Sequence, residues 1–200
     1  MPKRVDHGER RAHIADALVR LAAREGLHTV TLRGVAAEAG MSLNLVQYYF
    51  ATKAELLRAT LDHLEAGSHE RWAARLRALP RPVTARAYLE AFCAEALPGD
   101  GPSRAFQLVW TSYAVLAMTD PELAAQPFVA GPDRLEAQLT EVLSEAHAAG
   151  ELTAGAEPAT EAARLLALTH GLGTSVLVGQ RTAERAAAVL GAHLDALFAR

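Results

Sequence analysis

From Thr31 to Lys53 the sequence TLRGVAAEAGMSLNLVQYYFATK leaves little freedom of fold, because two short amphipathic stretches are separated only by Gly40, Met41 and Ser42. Leu32, Val35, Ala36 and Ala39 recur at i, i+3, i+4 and i+7, which predicts a helix over 32–39 with one apolar face. Thr31 offers it a hydroxyl N-cap. Gly40 stands where a helix end favours φ > 0 without a Cβ penalty, and Ser42 supplies an oxygen to cap the next helix. Helices leaving so short a turn cross closely, so the residue near the crossing must be small, and Ala36 is. In the second helix Met41, Val46 and Tyr49 form the expected inward side. Leu43, Asn44, Gln47 and Tyr48 form an outward side without a carboxylate, short enough to enter a major groove. The alternative is a plain helical hairpin within an all-α core.

The order of cap, small residue, turn glycine, second cap and aromatic pair carries a resemblance. TLRGVAAEAGMSLNLVQYYFATKAELL is similar to the DNA-binding region of the TetR/AcrR family of one-component transcriptional regulators, and the likeness covers residues 9–60. A looser likeness to BetI-type C-terminal domains lies in EAARLLALTHGLG. The resemblance implies that Leu43, Asn44 and Gln47 meet base edges, and that Thr31, Ser42, Tyr48, Tyr49 and Lys53 meet phosphates, with Arg33 counted among the DNA-binding residues. The sequence departs from the family pattern twice: Asn44 stands where glycine is frequent, and Gln47 where tyrosine is.

Charge supports the same division. The net charge of −3 argues against nucleic acid when taken whole, but residues 1–60 hold nine Lys or Arg against six Asp or Glu, a balance of +3 that leaves −6 elsewhere. A basic module on an acidic body is expected when only one end approaches phosphates. Half the residues are hydrophobic and only 6% aromatic, with alanine abundant and β-branched runs absent, which points to an all-α protein. The single Cys93 cannot form an internal disulfide, no signal-like apolar segment opens the chain, and the most apolar stretch, 162–178, contains Arg164, His170 and two glycines. A cytoplasmic protein without membrane spans is expected.

Taken in order, residues 1–8 with Lys3 and Arg4 read either as a frayed terminus or as a basic arm on DNA. A buttress helix is predicted over 9–25, and a helix restarting at Lys53 behind a Thr52 cap, with a bend at Gly67-Ser68 and an end at Pro80 to Pro82. Further helices are expected at 84–97, 103–118, 121–149 with a break near Pro127, 158–178 and 183–199. The expected domains are a three-helix helix-turn-helix unit over 1–52 and a helical bundle for ligand binding and dimerisation over 53–200.

Enzymatic chemistry finds no foothold. There is no HExxH, CxxC or GxSxG, and Asp62-His63 and His69-Glu70 read as a solvated face; neither a cofactor nor a metal is expected. What the body does hold is a concentration of large residues: Tyr88, Phe92 and Cys93 on one helix, then Phe106, Gln107, Trp110, Tyr113 and Met118 on the next. They read either as core packing or as an apolar cavity in which Gln107, Tyr113 and His170 orient a small molecule. The resemblance implies that inducers bind there, and the expected effector is largely apolar. Small and apolar residues alternate on the last two helices, including Gly171, Gly179, Ala187, Leu190, Gly191 and Leu194. They either complete the monomer core or form a homodimer, and the resemblance implies a four-helix bundle about a two-fold axis. A ligand-responsive repressor releasing a palindromic operator is the resulting expectation; a helical DNA-binding protein whose body serves only dimerisation is the alternative.

Overall fold

The computed structural model describes residues 7–125 and 131–198. Ten α-helices are found among them and no strand: α1 His7–Glu25, α2 Leu32–Glu38, α3 Leu43–Tyr49, α4 Lys53–Ala78, α5 Ala85–Ala96, α6 Gly101–Ala117, α7 Pro121–Ala124, α8 Gly131–Ala148, α9 Pro158–Leu177 and α10 Ala183–Leu197. The chain divides into two compact units, Met1–Gly67 with Leu108–Phe128, and Ser68–Gln107 with Val129–Arg200, the divisions falling inside α4 and α6.

Caps set most boundaries. Thr31, Ser42, Thr84 and Thr182 each accept a backbone N–H three residues on, and Asp120 and Glu157 cap helices whose next residue is a proline. In the first unit Ile14, Ala17, Leu18, Val35, Val46, Phe50, Leu56 and Leu61 are at most 1% exposed. Each large apolar side chain so buried contributes about 1.5–3 kcal/mol of transfer free energy. The second unit has its own core, drawn from Trp72 on α4, Leu89, Phe92 and Cys93 on α5, Leu139 and Leu143 on α8, Leu165 and Leu172 on α9, and Leu190 and Leu194 on α10. Burial pushes the Cys93 thiol up to about 12, so it is inert packing.

Several expectations need correction. His7 and Gly8 belong to α1, which starts earlier than the expected arm would allow; Lys3 and Arg4 lie outside the described residues. At Gly67-Ser68, where a bend is expected, the helix is not interrupted: α4 runs to Ala78, and Ser68 Oγ donates to Glu95 Oε1 at 3.0 Å. Within the stretch expected at 121–149, α7 ends already at Ala124 and α8 opens at Gly131-Pro132, where proline's missing N–H costs nothing. Pro127 and the chain's last two residues also lie outside the described residues. Met118, grouped with the pocket residues, falls beyond the end of α6 and is 79% exposed.

Candidate nucleic-acid interface

The helix-turn-helix is built as its residues dictate. The Thr31 hydroxyl accepts from Gly34 N at 3.1 Å and the Ser42 hydroxyl from Leu45 N at 3.2 Å. Gly40 takes φ +65°, and Met41 N reaches back to Ala36 O at 2.9 Å, closing the turn. A close approach the sequence did not reveal lies at Gly34, where a Cβ would sit 3.1 Å from Leu21 Cδ2. That position seats α2 on α1. Glu38 is the carboxylate nearest the turn in sequence, and Arg20 Nε and Arg24 Nη2 hold it at 2.9 Å each. The Arg20 and Arg24 hydrogen bonds keep its carboxyl below the usual range.

On α3, Val46 faces inward and is fully buried, while Leu43, Leu45 and Tyr49 are half-buried. Asn44, Gln47 and Tyr48 are exposed, Tyr48 by 73%, and they share one side of the helix by their i, i+3 and i+4 spacing. Neither amide has a hydrogen-bond partner among the described residues, so both retain donor and acceptor capacity for a base edge. Thr31, Arg33 and Ser42 are exposed at the helix starts. Lys53 is half-buried at the first position of α4, which Thr52 caps by accepting from Glu55 N while Glu55 accepts from Ala51 N at 2.9 Å. Tyr49 carries more than the expected phosphate role: its hydroxyl lies 3.1 Å from His7 Nδ1, and its carbonyl accepts from Arg11 at 2.9 Å. Sequence spacing could not foretell a bond across 38 positions.

The residues singled out for a ligand do not fall in one unit. Tyr88, Phe92, Phe106, Gln107 and His170 belong to the second, Trp110 and Tyr113 to the first. Phe92 is 4% exposed and lies in the core against Trp72, ring centroids 5.6 Å apart; Tyr88 packs on the same indole with centroids 5.2 Å apart and accepts from Gln138 at 2.6 Å. Gln107 donates to Ala96 O at 2.6 Å, and Tyr113 donates to Leu123 O at 2.7 Å. Phe106, Trp110 and His170 are half-buried. Desolvation lowers the His170 pKa.

The dimer candidates also separate. Leu190 and Leu194 are each 1% exposed and belong to the core of the single chain, the first of the two roles that the sequence leaves open for them. Gly179, at φ +75°, is the terminator of α9: its N–H reaches Val176 O and the next N–H reaches Ser175 O. Gly171 and Ala187 are exposed and Gly191 half-buried, with open space where a Cβ on either glycine would stand. Among the described residues no helix is long and apolar enough to cross a membrane, and no cluster of three or more His, Cys, Asp or Glu is placed to hold a metal.

Comparison with known proteins agrees with this architecture. Residues 14–60 match the model for bacterial regulatory proteins of the tetR family, and residues 85–199 match that for the BetI-type transcriptional repressor C-terminal region. The chain is 27% identical over 173 residues to the HTH-type transcriptional regulator PksA of Bacillus subtilis (strain 168), covering 86% of this chain and 80% of that one. It is 33% identical over 128 residues to the HTH-type transcriptional regulator BetI of a Burkholderia lata strain, a match spanning 62% of each chain. Among solved structures, a transcriptional regulator from Saccharomonospora viridis in complex with choline superposes with a TM-score of 0.83 at 25% identity, covering 94% of this chain and 96% of that one. A TetR-family regulator from Rhodococcus sp. superposes with a TM-score of 0.81 at 22% identity, covering 96% and 100%, and speaks to the fold alone.

Proposed function

Since this chain belongs to the TetR family of bacterial transcriptional regulators, with a BetI-type C-terminal region, we propose that it is a ligand-responsive repressor that binds a palindromic operator as a homodimer. The observation that carries the reading is α3 itself: a capped, carboxylate-free helix presenting beside the exposed Tyr48 two amides, Asn44 and Gln47, that are unengaged among the described residues. Such a helix can read base edges, while Thr31, Arg33, Ser42, Tyr48, Tyr49 and Lys53 serve phosphates. Residues 1–52 then act as the DNA-binding domain, with effector binding and dimerisation in 53–200. Release follows when a small molecule binds better to an arrangement of the dimer that does not fit the operator.

For the effector, the regulator from Saccharomonospora viridis supplies the first probe, because it was solved with choline. The aromatic trio Trp72, Tyr88 and Phe92 is of a kind that suits an organic cation. A second reading has its own observation: Gln107 and Tyr113 already spend their polar groups on backbone carbonyls, as filled core residues would. In that reading the body only dimerises. The test is selection of a binding sequence from random duplexes, followed by titration of the complex with choline and related amines. A selected inverted repeat released by one amine supports the first reading. A repeat released by no small molecule from a broad panel supports the second, and enrichment of no sequence sinks both.

A further inference from the structure

Arg11 looks like a phosphate contact, since it is an exposed cation on the basic unit, yet its guanidinium is already engaged. Its Nη1 donates to Tyr49 O at 2.9 Å, and its Cζ lies 4.3 Å from the centroid of the Phe50 ring. Tyr49 ends α3, so its carbonyl is among the four that helix geometry leaves without an internal partner. A cation there also meets the negative end of the helix dipole. Phe50, the C-cap of α3, is 1% exposed, so the ring beneath the guanidinium is fixed in the core. One turn earlier on α1, His7 Nδ1 lies 3.1 Å from the Tyr49 hydroxyl, with ring centroids 5.7 Å apart. Arg10 and Arg33, by contrast, are exposed and have no side-chain partner among the described residues.

We infer that Arg11 is a positioning residue: it clamps the C-terminus of the reader helix to α1, and so sets the angle at which Asn44 and Gln47 approach base edges. The inference rests on the reading of α3 as the base reader. A seven-residue helix makes few hydrogen bonds of its own and cannot hold its orientation alone, so a bond at its last carbonyl and a stack on its cap residue bear directly on how it points. The role differs from that of a phosphate ligand in what it does to binding. A phosphate ligand adds affinity for all sequences and contributes to the salt slope; a positioning residue adds preference for the right sequence and leaves the slope alone.

The experiment uses the full chain and a duplex that the unaltered protein selects from a random pool, compared with a scrambled duplex of the same length, each over a series of salt concentrations. Arg11→Ala is expected to bind scrambled DNA as the unaltered protein does, with the same salt slope, and to bind the selected duplex about tenfold more weakly. Arg11→Lys keeps the charge but lacks the planar fork and stacking face, so it is expected to show the same loss. Arg33→Ala is the comparator, expected to weaken both duplexes alike and lower the slope by about one. Melting curves report folding, and if the alanine variant fails to fold the lysine variant decides. Rescue by lysine, or a slope lowered by about one in Arg11→Ala with equal weakening on both duplexes, would overturn the inference while leaving the base-reading assignment intact. If the unaltered protein selects no sequence, the base-reading assignment fails and the inference falls with it.

Discussion

Asn44 and Gln47 are exposed on a helix otherwise anchored by Val46 and Phe50, and their amides can pair bidentately with adenine N6 and N7. Asn44→Ala and Gln47→Ala are each expected to cost about 1–3 kcal/mol at the preferred base and to leave scrambled DNA nearly unaffected. Equal weakening of both duplexes in a binding titration would remove them from the readout. Titration of the body gives a separate residue-scale expectation. Desolvation is the largest influence on both His170 and His193, and it lowers each pKa below the ordinary 6.5; for His193, Glu161 opposes the shift and Arg164 adds to it. A histidine with a depressed folded pKa leaves stability unaffected above pH 6.5. As pH falls through that value the unfolded chain gains protons that the folded chain resists, so stability declines. Melting temperatures are therefore expected to drop between pH 7.5 and pH 5.5, and to drop less in a His170→Gln, His193→Gln double variant. An unchanged profile in that variant would place the titrating groups elsewhere.

At the scale of elements, Gly40 gives a clean test of the turn. It adopts φ +65°, and a Cβ there would meet nothing within 4 Å among the described residues, so the penalty for replacing it is conformational. Gly40→Val is expected to cost more than the ~1–2 kcal/mol typical of an L residue in the left-handed region, and Gly40→Asn less, because asparagine tolerates that region. Urea unfolding that ranks the two equally would show that the turn relaxes into another conformation. This turn was legible in the sequence because capping hydroxyls and a terminal glycine act through their nearest neighbours. The same locality explains the boundaries at Thr84, Asp120 and Thr182. Gly34 was not legible, since its reason lies in Leu21 on another helix, nor was the Arg11 bond to the Tyr49 carbonyl. At Gly67-Ser68 the helix continues without interruption. A helix-interior glycine costs only about 1 kcal/mol, and the ties that Ser68 and Arg71 make to the buried Glu95 favour continuity.

For the whole molecule, association was the hardest property to read, because the same residue types build a core and an interface. Leu190 and Leu194 have the spacing of a seam, yet they belong to the interior of one chain, while the smaller residues beside them remain open. On α9 the exposed positions include Ala163, Ala167, Gly171 and Thr174, with Val178 just beyond its end; on α10 they include Ala187, Ala188, Val189 and Ala192. Surfaces of small residues allow close helix approach, and exposed Val178 and Val189 gain from being covered. A single reader helix contacts too few base pairs for tight specific binding at physiological salt, so a second copy is functionally required in the proposed reading. Gly191 is the position from which to test it. A Cβ there would meet nothing within 4 Å among the described residues, and glutamate is the better helix former by about 0.5–1 kcal/mol. Gly191→Glu therefore should not unfold the monomer; if α10 packs against a second copy, it places a charge in that contact. The expected result is a helical, cooperatively melting protein that is monomeric by light scattering at micromolar concentration and no longer protects an operator, although its reader helix is unaltered. A folded variant that remains dimeric would move the interface away from Gly191.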